Sequence, residues 1–559
     1  MMKKYIFGVL LLFSFSSCDF LDYDETSGRT KEEAYSYFEN LNSLVANVYA
    51  YLPVDFGRVS DAMMESATDN SIYTYENNSI HYFNNEVWSS IKTVDNAWGL
   101  WDGIRSANSF LENFDPKVLE KFEYNDNYDE MTQKSSMFPF EVRFLRAFFY
   151  FELAKRYGDI PLLTRTYAED EINTVKQEPF ENIIDFVVSE CDAVAKELPL
   201  KQSDFWNETG RITKGAALAL KSRALLYAAS KLHNPGNDLS KWEAAAKAAY
   251  EVINLNVYSM PAIGKDVLYS DQGGNTVLTS PQLILERRTG SKTNSFEARN
   301  QPMGYEGSAV GGGNTPTQNL VDAFEMADGT EFDWNNPEHV KNIYFDANGK
   351  QTRDPRLYLN VLYNGSTWLK QTVETFEGGK NQVLDGSTTT GYYLRKYMNP
   401  SVSLDPDKSN KLEHHYILFR YAEILLNYAE AMNEWKDPQT VTEECPLSAT
   451  DAVNEIRKAA GMQGVGVMNQ SAFREKVRNE RRIELAFEGH RFYDIRRWMI
   501  AGEDNVRNIY GVKILKSGNS YTYERTLLKS YNWENKKYLF PIPQHEIYKN
   551  SNLIQNQGW

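Results

Sequence analysis

The sequence predicts a mainly α fold: helical hairpins of tetratricopeptide type supporting an irregular, loop-rich half. Apolar residues recur at helical spacing in several segments, joined by loops longer and more varied than a regular repeat of about 34 residues would have. Within those segments small residues alternate with Tyr, Phe or Leu, the pattern that lets one helix nest into the next. The stretch from Gly264 to Gly391 breaks this pattern and gathers about half of the chain's 33 glycines.

The chain opens on Lys3 and Lys4, an apolar run from Tyr5 to Phe13, small residues, and Cys18. The run is shorter than the roughly 20 residues a membrane-crossing helix needs. It reads as a lipoprotein signal peptide over residues 1–17, with Cys18 as the lipidated mature N-terminus and membrane anchor. Residues 18–559 then read as a single domain with a loop-rich insertion at about 264–391.

The helical segments follow in order. Phe140–Tyr157 carries Phe144, Ala147, Phe148, Phe151 and Ala154 on one face and stops at Gly158. Glu181–Leu198 is closed by Pro199, and Thr213–Leu232 by the turn His233–Gly236, before a further helix at Lys241–Asn254. Tyr416–Glu434 and Ala449–Ala460 repeat the arrangement. In the glycine-rich part the short apolar runs Gln282–Glu286 and Leu357–Tyr363 are the expected strands.

Composition narrows the function classes. A net charge of −16 argues against nucleic acid as a partner, since phosphate binding needs a basic surface. Cys191 and Cys445 fall in dissimilar contexts and read as free thiols. No His or Cys spacing suggests a metal site, and the adjacent His414 and His415 diverge on a helix. No cofactor is therefore expected.

The charged segment Asn479–Arg491 holds three glutamates, three arginines and a histidine. On a helix Glu480, Glu484 and Glu488 lie one turn apart beside Arg481, Arg482 and Arg491, which reads as a structural ion-pair network. Glycoside hydrolysis needs two carboxylates facing each other across a sugar, and no spacing here picks out such a pair. No catalytic residue is assigned. Trp98 and Trp101 continue the helical spacing of Ile104, Ala107 and Leu111 and read as core. Asp69–Ser90 is different, polar and without helical period. Its Tyr73, Tyr75, Tyr82 and Trp88 offer flat rings beside Asp69 and several asparagines, the combination that sugars require.

Several motifs together resemble the SusD/RagB family of Bacteroidetes outer-membrane, nutrient-binding lipoproteins. They are Cys18–Asp22, Glu141–Ala147 with Tyr157–Leu162, Thr213–Ser230, Arg420–Leu426 with Ala429–Ala431, Asn454–Arg457, Arg478–Arg491 with Asp494 and Arg497–Trp498, Leu539–Pro543, and Asn556–Trp559. The resemblance implies four tetratricopeptide-like units and a surface-exposed, outer-membrane lipoprotein without enzymatic activity. Such a protein captures glycan and sits as a lid on a SusC-like TonB-dependent transporter. It also places ligand contacts in the Asp69–Ser90 loop and in the irregular middle segment, where Arg287, Arg288, Asn300, Gln301 and Tyr305 flank the run Gly311–Gly313. Those glycines are expected to let backbone approach ligand. The competing readings are a surface glycosidase and a helical-repeat scaffold that assembles the transporter without binding sugar.

Overall fold

The computed structural model describes residues 30–201, 208–270, 275–307 and 311–559. The expected signal peptide and Cys18 lie outside the described residues. The fold is mainly α, with 43% helix against 12% strand. Among the described residues no helix is long and apolar enough to cross a membrane.

The helical half winds through α1 (Phe38–Tyr49), α2 (Leu100–Asn113), α3 (Tyr128–Tyr157), α4 (Phe180–Val194), α5 (Lys214–Ala229) and α6 (Leu239–Ile253). Each helix from α2 to α6 packs on the next, because each presents an apolar face that the following helix covers. Helix α3 is the centre. From Phe144 to Ala154 every residue is buried, so apolar side chains face neighbours all round, and Gly158 ends it at φ +71°. Helix α5 is rich in alanine, which lets α4 and α6 approach closely on either side. Thr213 and Asp238 cap α5 and α6 by accepting backbone N–H bonds in the first turn.

The chain returns to this stack after the irregular segment. Strand β2 (Leu283–Arg288) pairs antiparallel with the fully buried β4 (His415–Arg420), which runs straight into α7 (Tyr421–Trp435). The helix expected from Tyr416 therefore starts at Tyr421. Tyr416–Phe419 is a continuous apolar run whose periodicity does not separate buried strand from buried helix, and pairing with β2 decides the matter. Helix α7 packs on α5 and α6, and also on α8 (Ala449–Ala459) and α9 (Gln470–Glu484). The segment Leu357–Tyr363 is a helical turn, Leu357–Asn360, before the short strand Val361–Leu362. The hairpin Asn508–Ser517 and Ser520–Ser530 is the longest strand pair. Cys191 and Cys445 are both buried and free.

The charged segment is a network whose partners are distant in sequence. Helix α9 ends at Glu484, and Glu488 sits in the turn beyond it, where Phe487 and Gly489 take positive φ. Arg420 binds Glu484 at 2.6 Å and Glu488 at 2.7 Å, while Arg356 binds Glu480 at 2.6 Å and Glu484 at 2.8 Å. Arg457 reaches Glu480 at 2.8 Å and Glu325 at 2.9 Å. Burial raises the Glu484 carboxyl, but the guanidinium groups of Arg420 and Arg356 overcome it and hold the value at about 2. The Arg356 and Glu325 pairs fasten the irregular segment to α8 and α9, and Arg420 ties the start of α7 to the end of α9. Losing one partner would leave a buried charge uncompensated, so these segments are locked in one arrangement.

Candidate functional site

Two parts of the chain more than two hundred residues apart meet in a small sheet. Strand β1 (Ser71–Tyr73) pairs antiparallel with β3 (Asn314–Pro316), Tyr73 lying opposite Asn314. The connection is fixed on both sides. Thr74 N–H donates to the Gly313 carbonyl at 2.9 Å, and the Tyr75 hydroxyl to the Gly311 carbonyl at 3.1 Å. Asn300 Oδ1 accepts from Asn314 N–H and from its Nδ2 at 3.0 and 2.9 Å. The aromatic loop and the glycine-rich segment thus join at a buried sheet, with the half-buried Tyr75 just beyond its end.

The glycine run serves the fold more directly than a ligand. A Cβ on Gly312 would fall 1.5 Å from the Ser387 carbonyl oxygen, and one on Gly311 would fall 2.4 Å from that of Gln301. Gly312 also has φ +81°. The close approach that requires glycine here is backbone to backbone, which corrects the expectation of backbone to ligand.

At the end of this sheet the Tyr73 and Tyr75 rings lie 5.6 Å apart. Tyr73 is buried and backs Tyr75, which is half-exposed. Burial, with Asp61 adding to it, pushes the Tyr73 phenol up to about 12, so it stays a neutral hydroxyl. Asp61 and Arg299 form an accessible ion pair at 2.8 Å beside it. The Asp385 carboxylate acts on Tyr75. An aromatic face next to charged hydrogen-bonding groups can stack on the apolar face of a sugar ring and bind its hydroxyl edge. Tyr82 is half-buried in the same loop, with the Lys92 ammonium 4.6 Å above its ring.

Other expected contacts lie elsewhere. Trp88 is in the core, edge-on to Phe83 at 4.8 Å, Phe540 at 5.0 Å and Trp559 at 4.8 Å, and is 3% exposed. Its polar surroundings in the sequence concealed a contact with the C-terminal residue. Asp69 is buried and held by Arg491, at 2.7 and 2.8 Å, and by Arg482 at 2.8 Å. Against the upward push of burial these two cations hold its carboxyl below the ordinary range, as a structural anion. Asn300 and Gln301 are buried and spend their side chains on backbone and Asn314. Tyr305 is buried too, its hydroxyl donating to the Thr372 carbonyl at 3.1 Å, with Lys380 5.0 Å over the ring. Arg287 and Arg288 are half-buried on β2, a different sheet from β1 and β3. Sequence reasoning missed Asp61 and Arg299, which are ordinary surface charges until the fold brings them to the tyrosines.

Among the described residues no group of three or more His, Cys, Asp and Glu side chains is arranged to hold a metal ion. Residues 282–559 match the SusD family, and residues 19–226 match a family described as starch-binding and associating with the outer membrane. The chain belongs to the SusD/RagB family. A SusD-like protein of Bacteroides fragilis superposes with a TM-score of 0.75 at 27% identity, covering 96% of this chain and 99% of that one. A second B. fragilis structure, a SusD-like carbohydrate-binding protein, gives a TM-score of 0.71 at 25% identity over 93% of this chain and all of that one. A curated SusD-like protein of Formosa agariphila is 25% identical over 542 residues, 89% of this chain and 90% of the relative. Carbohydrate binding is the role of the SusD-like family.

Proposed function

We propose that this SusD-like chain is a cell-surface lipoprotein anchored through Cys18, which captures oligo- or polysaccharide without cleaving it and delivers it to a SusC-like TonB-dependent transporter. The observation that carries the reading is the half-exposed Tyr75, backed by Tyr73 and flanked by the Asp61–Arg299 pair, in a chain whose family binds glycans. The network glutamates that invited a catalytic reading are buried against arginine and lysine, which suits structure and leaves no free acid–base pair among them.

Isothermal titration against a panel of neutral hexasaccharides tests the reading. Tyr75→Ala should weaken binding by about 2- to 12-fold, the worth of roughly 0.5–1.5 kcal/mol for one aromatic contact. The wild-type protein should return the sugar with no new reducing ends. Release of shorter oligosaccharides would favour the glycosidase, and absence of binding across the panel would favour the scaffold. Cys18→Ala should move the protein out of the membrane fraction.

A further inference from the structure

A cleft of about 760 Å³ opens between the start of α2, the strap 161–175 and the C-terminal segment 543–553. It shares no residue with the Tyr75 surface. Its volume falls within the roughly 300–1,000 Å³ of small-molecule sites. Trp98 and Trp101, read from their spacing as core, are only half-buried and line this cleft. Their rings meet edge-on at 5.8 Å. Trp98 is braced by Tyr157 at 4.9 Å, and Trp101 by Tyr150 at 5.9 Å. The helical spacing is real, but these rings pack on the core only in part and leave the rest of their surface to the cleft.

The cleft is rigid. Asn108 Nδ2 donates to the Leu163 and Arg165 carbonyls at 2.8 and 2.9 Å, tying the strap to α2. Asn550 and Asn552 donate to the Val175 and Thr174 carbonyls, each at 2.9 Å, tying it to the C-terminal segment. A pocket held open in this way needs little ordering when a ligand enters.

We propose that this cleft is a second saccharide site, specific for a neutral oligosaccharide, an inference that rests on the reading of the chain as a glycan binder. The two indoles supply a stacking platform. The Trp101 Nε1–H is buried and has no acceptor among the described residues, so the indole offers the cleft its apolar surface and not a donor. The lining carries both signs, Asp95, Asp102, Glu169 and Glu546 against Arg105, Arg165 and Lys549, so neither dominates the cleft. Polar groups of both signs around flat apolar faces match the hydroxyl edge and C–H face of a pyranose. Two sites on one chain would also favour polymer over short oligomer, because the second contact becomes intramolecular once the first has formed.

The full-length mature protein is titrated with maltohexaose, cellohexaose, xylohexaose and mannohexaose. The expected result is two sites per chain for a bound sugar, with Trp101→Ala removing one and Tyr75→Ala weakening the other. Asp102 is exposed, so Asp102→Ala reports on the cleft without disturbing the packing of Trp101. It should weaken the same site as Trp101→Ala. A single site weakened by Tyr75→Ala and indifferent to both cleft variants overturns the second site and leaves the glycan reading intact. Binding that responds only to the cleft variants supports the cleft and overturns the tyrosine surface. No binding of any sugar overturns both.

Discussion

Replacing Trp88 by alanine separates a core role from a binding role. The indole is edge-on to Phe83, Phe540 and Trp559, each within 5.0 Å. Burying such a side chain removes on the order of 200 Å² from water, worth about 5 kcal/mol at about 25 cal/mol per Å². Large-to-small aromatic exchanges in cores cost about 3–5 kcal/mol, and that is the loss expected here. Part of the effect should be felt at the chain terminus. Trp559 loses a ring contact while its Nε1 still donates to the Lys536 and Leu539 carbonyls at 2.9 and 3.1 Å. Urea titration followed by circular dichroism reads the loss as a shift of midpoint at constant slope. Trp88→Phe should recover part of it, and hexasaccharide affinity of the folded Trp88→Ala protein should stay within about twofold of wild type, since less than about 0.5 kcal/mol is at stake for a residue away from the ligand. An unchanged midpoint with binding lost would refute the reasoning and return Trp88 to the ligand surface.

Arg420→Met leaves Glu484 and Glu488 buried with one cation fewer, and should cost about 3–5 kcal/mol in the same titration. A loss below about 1 kcal/mol, the scale of a surface pair, would mean that Arg420 does not act as a buried tie between the start of α7 and the end of α9. Gly312→Ala should destabilise far more than Gly304→Ala, compared by thermal midpoint. Both glycines have positive φ, but only at Gly312 does a Cβ meet backbone. Equal effects would show that backbone conformation alone sets the cost. Burial pushes the Asp55 carboxyl up to about 8, so the folded state keeps a proton that the unfolded chain releases above about pH 4. Its contribution is full below that pH and is lost as pH rises toward 8, and Glu65 and Glu141, raised to about 7, act in the same sense. Lys155, lowered to about 7 by burial, acts oppositely above that pH. The comparison is therefore between proteins: from pH 6 to 9, Asp55→Asn should lose less stability than wild type. Parallel curves for the two would remove Asp55 from the account.

Much of the helical half is legible in the sequence because an α-helix writes its buried face into a local period. The helices at Phe180–Val194, Lys214–Ala229, Leu239–Ile253 and Ala449–Ala459 lie close to the segments their periodicity marks. Tyr416–Phe419 was not legible as strand, since its partner β2 is more than a hundred residues away. The charge of Asn479–Arg491 reads correctly as structural, but a helix-only view pairs those residues with one another. In the fold they pair with Arg356, Lys396, Arg420 and Arg457.

The site divides in the same way. Composition singles out Tyr73 and Tyr75 as aromatic residues in a polar, aperiodic loop. It cannot separate them from Trp88, because exposure depends on what packs against each ring, and the C-terminal Trp559 covers Trp88. Trp98 and Trp101 show the converse, rings whose helical spacing says core and whose outer faces line a cleft closed by segments from three parts of the chain. By itself the sequence determined the helical architecture, the family and the acidic character, all properties written in local periods and motifs. Only the tertiary structure decided which aromatic rings reach solvent and which charges accompany them, because burial and pairing are set by residues far apart along the chain.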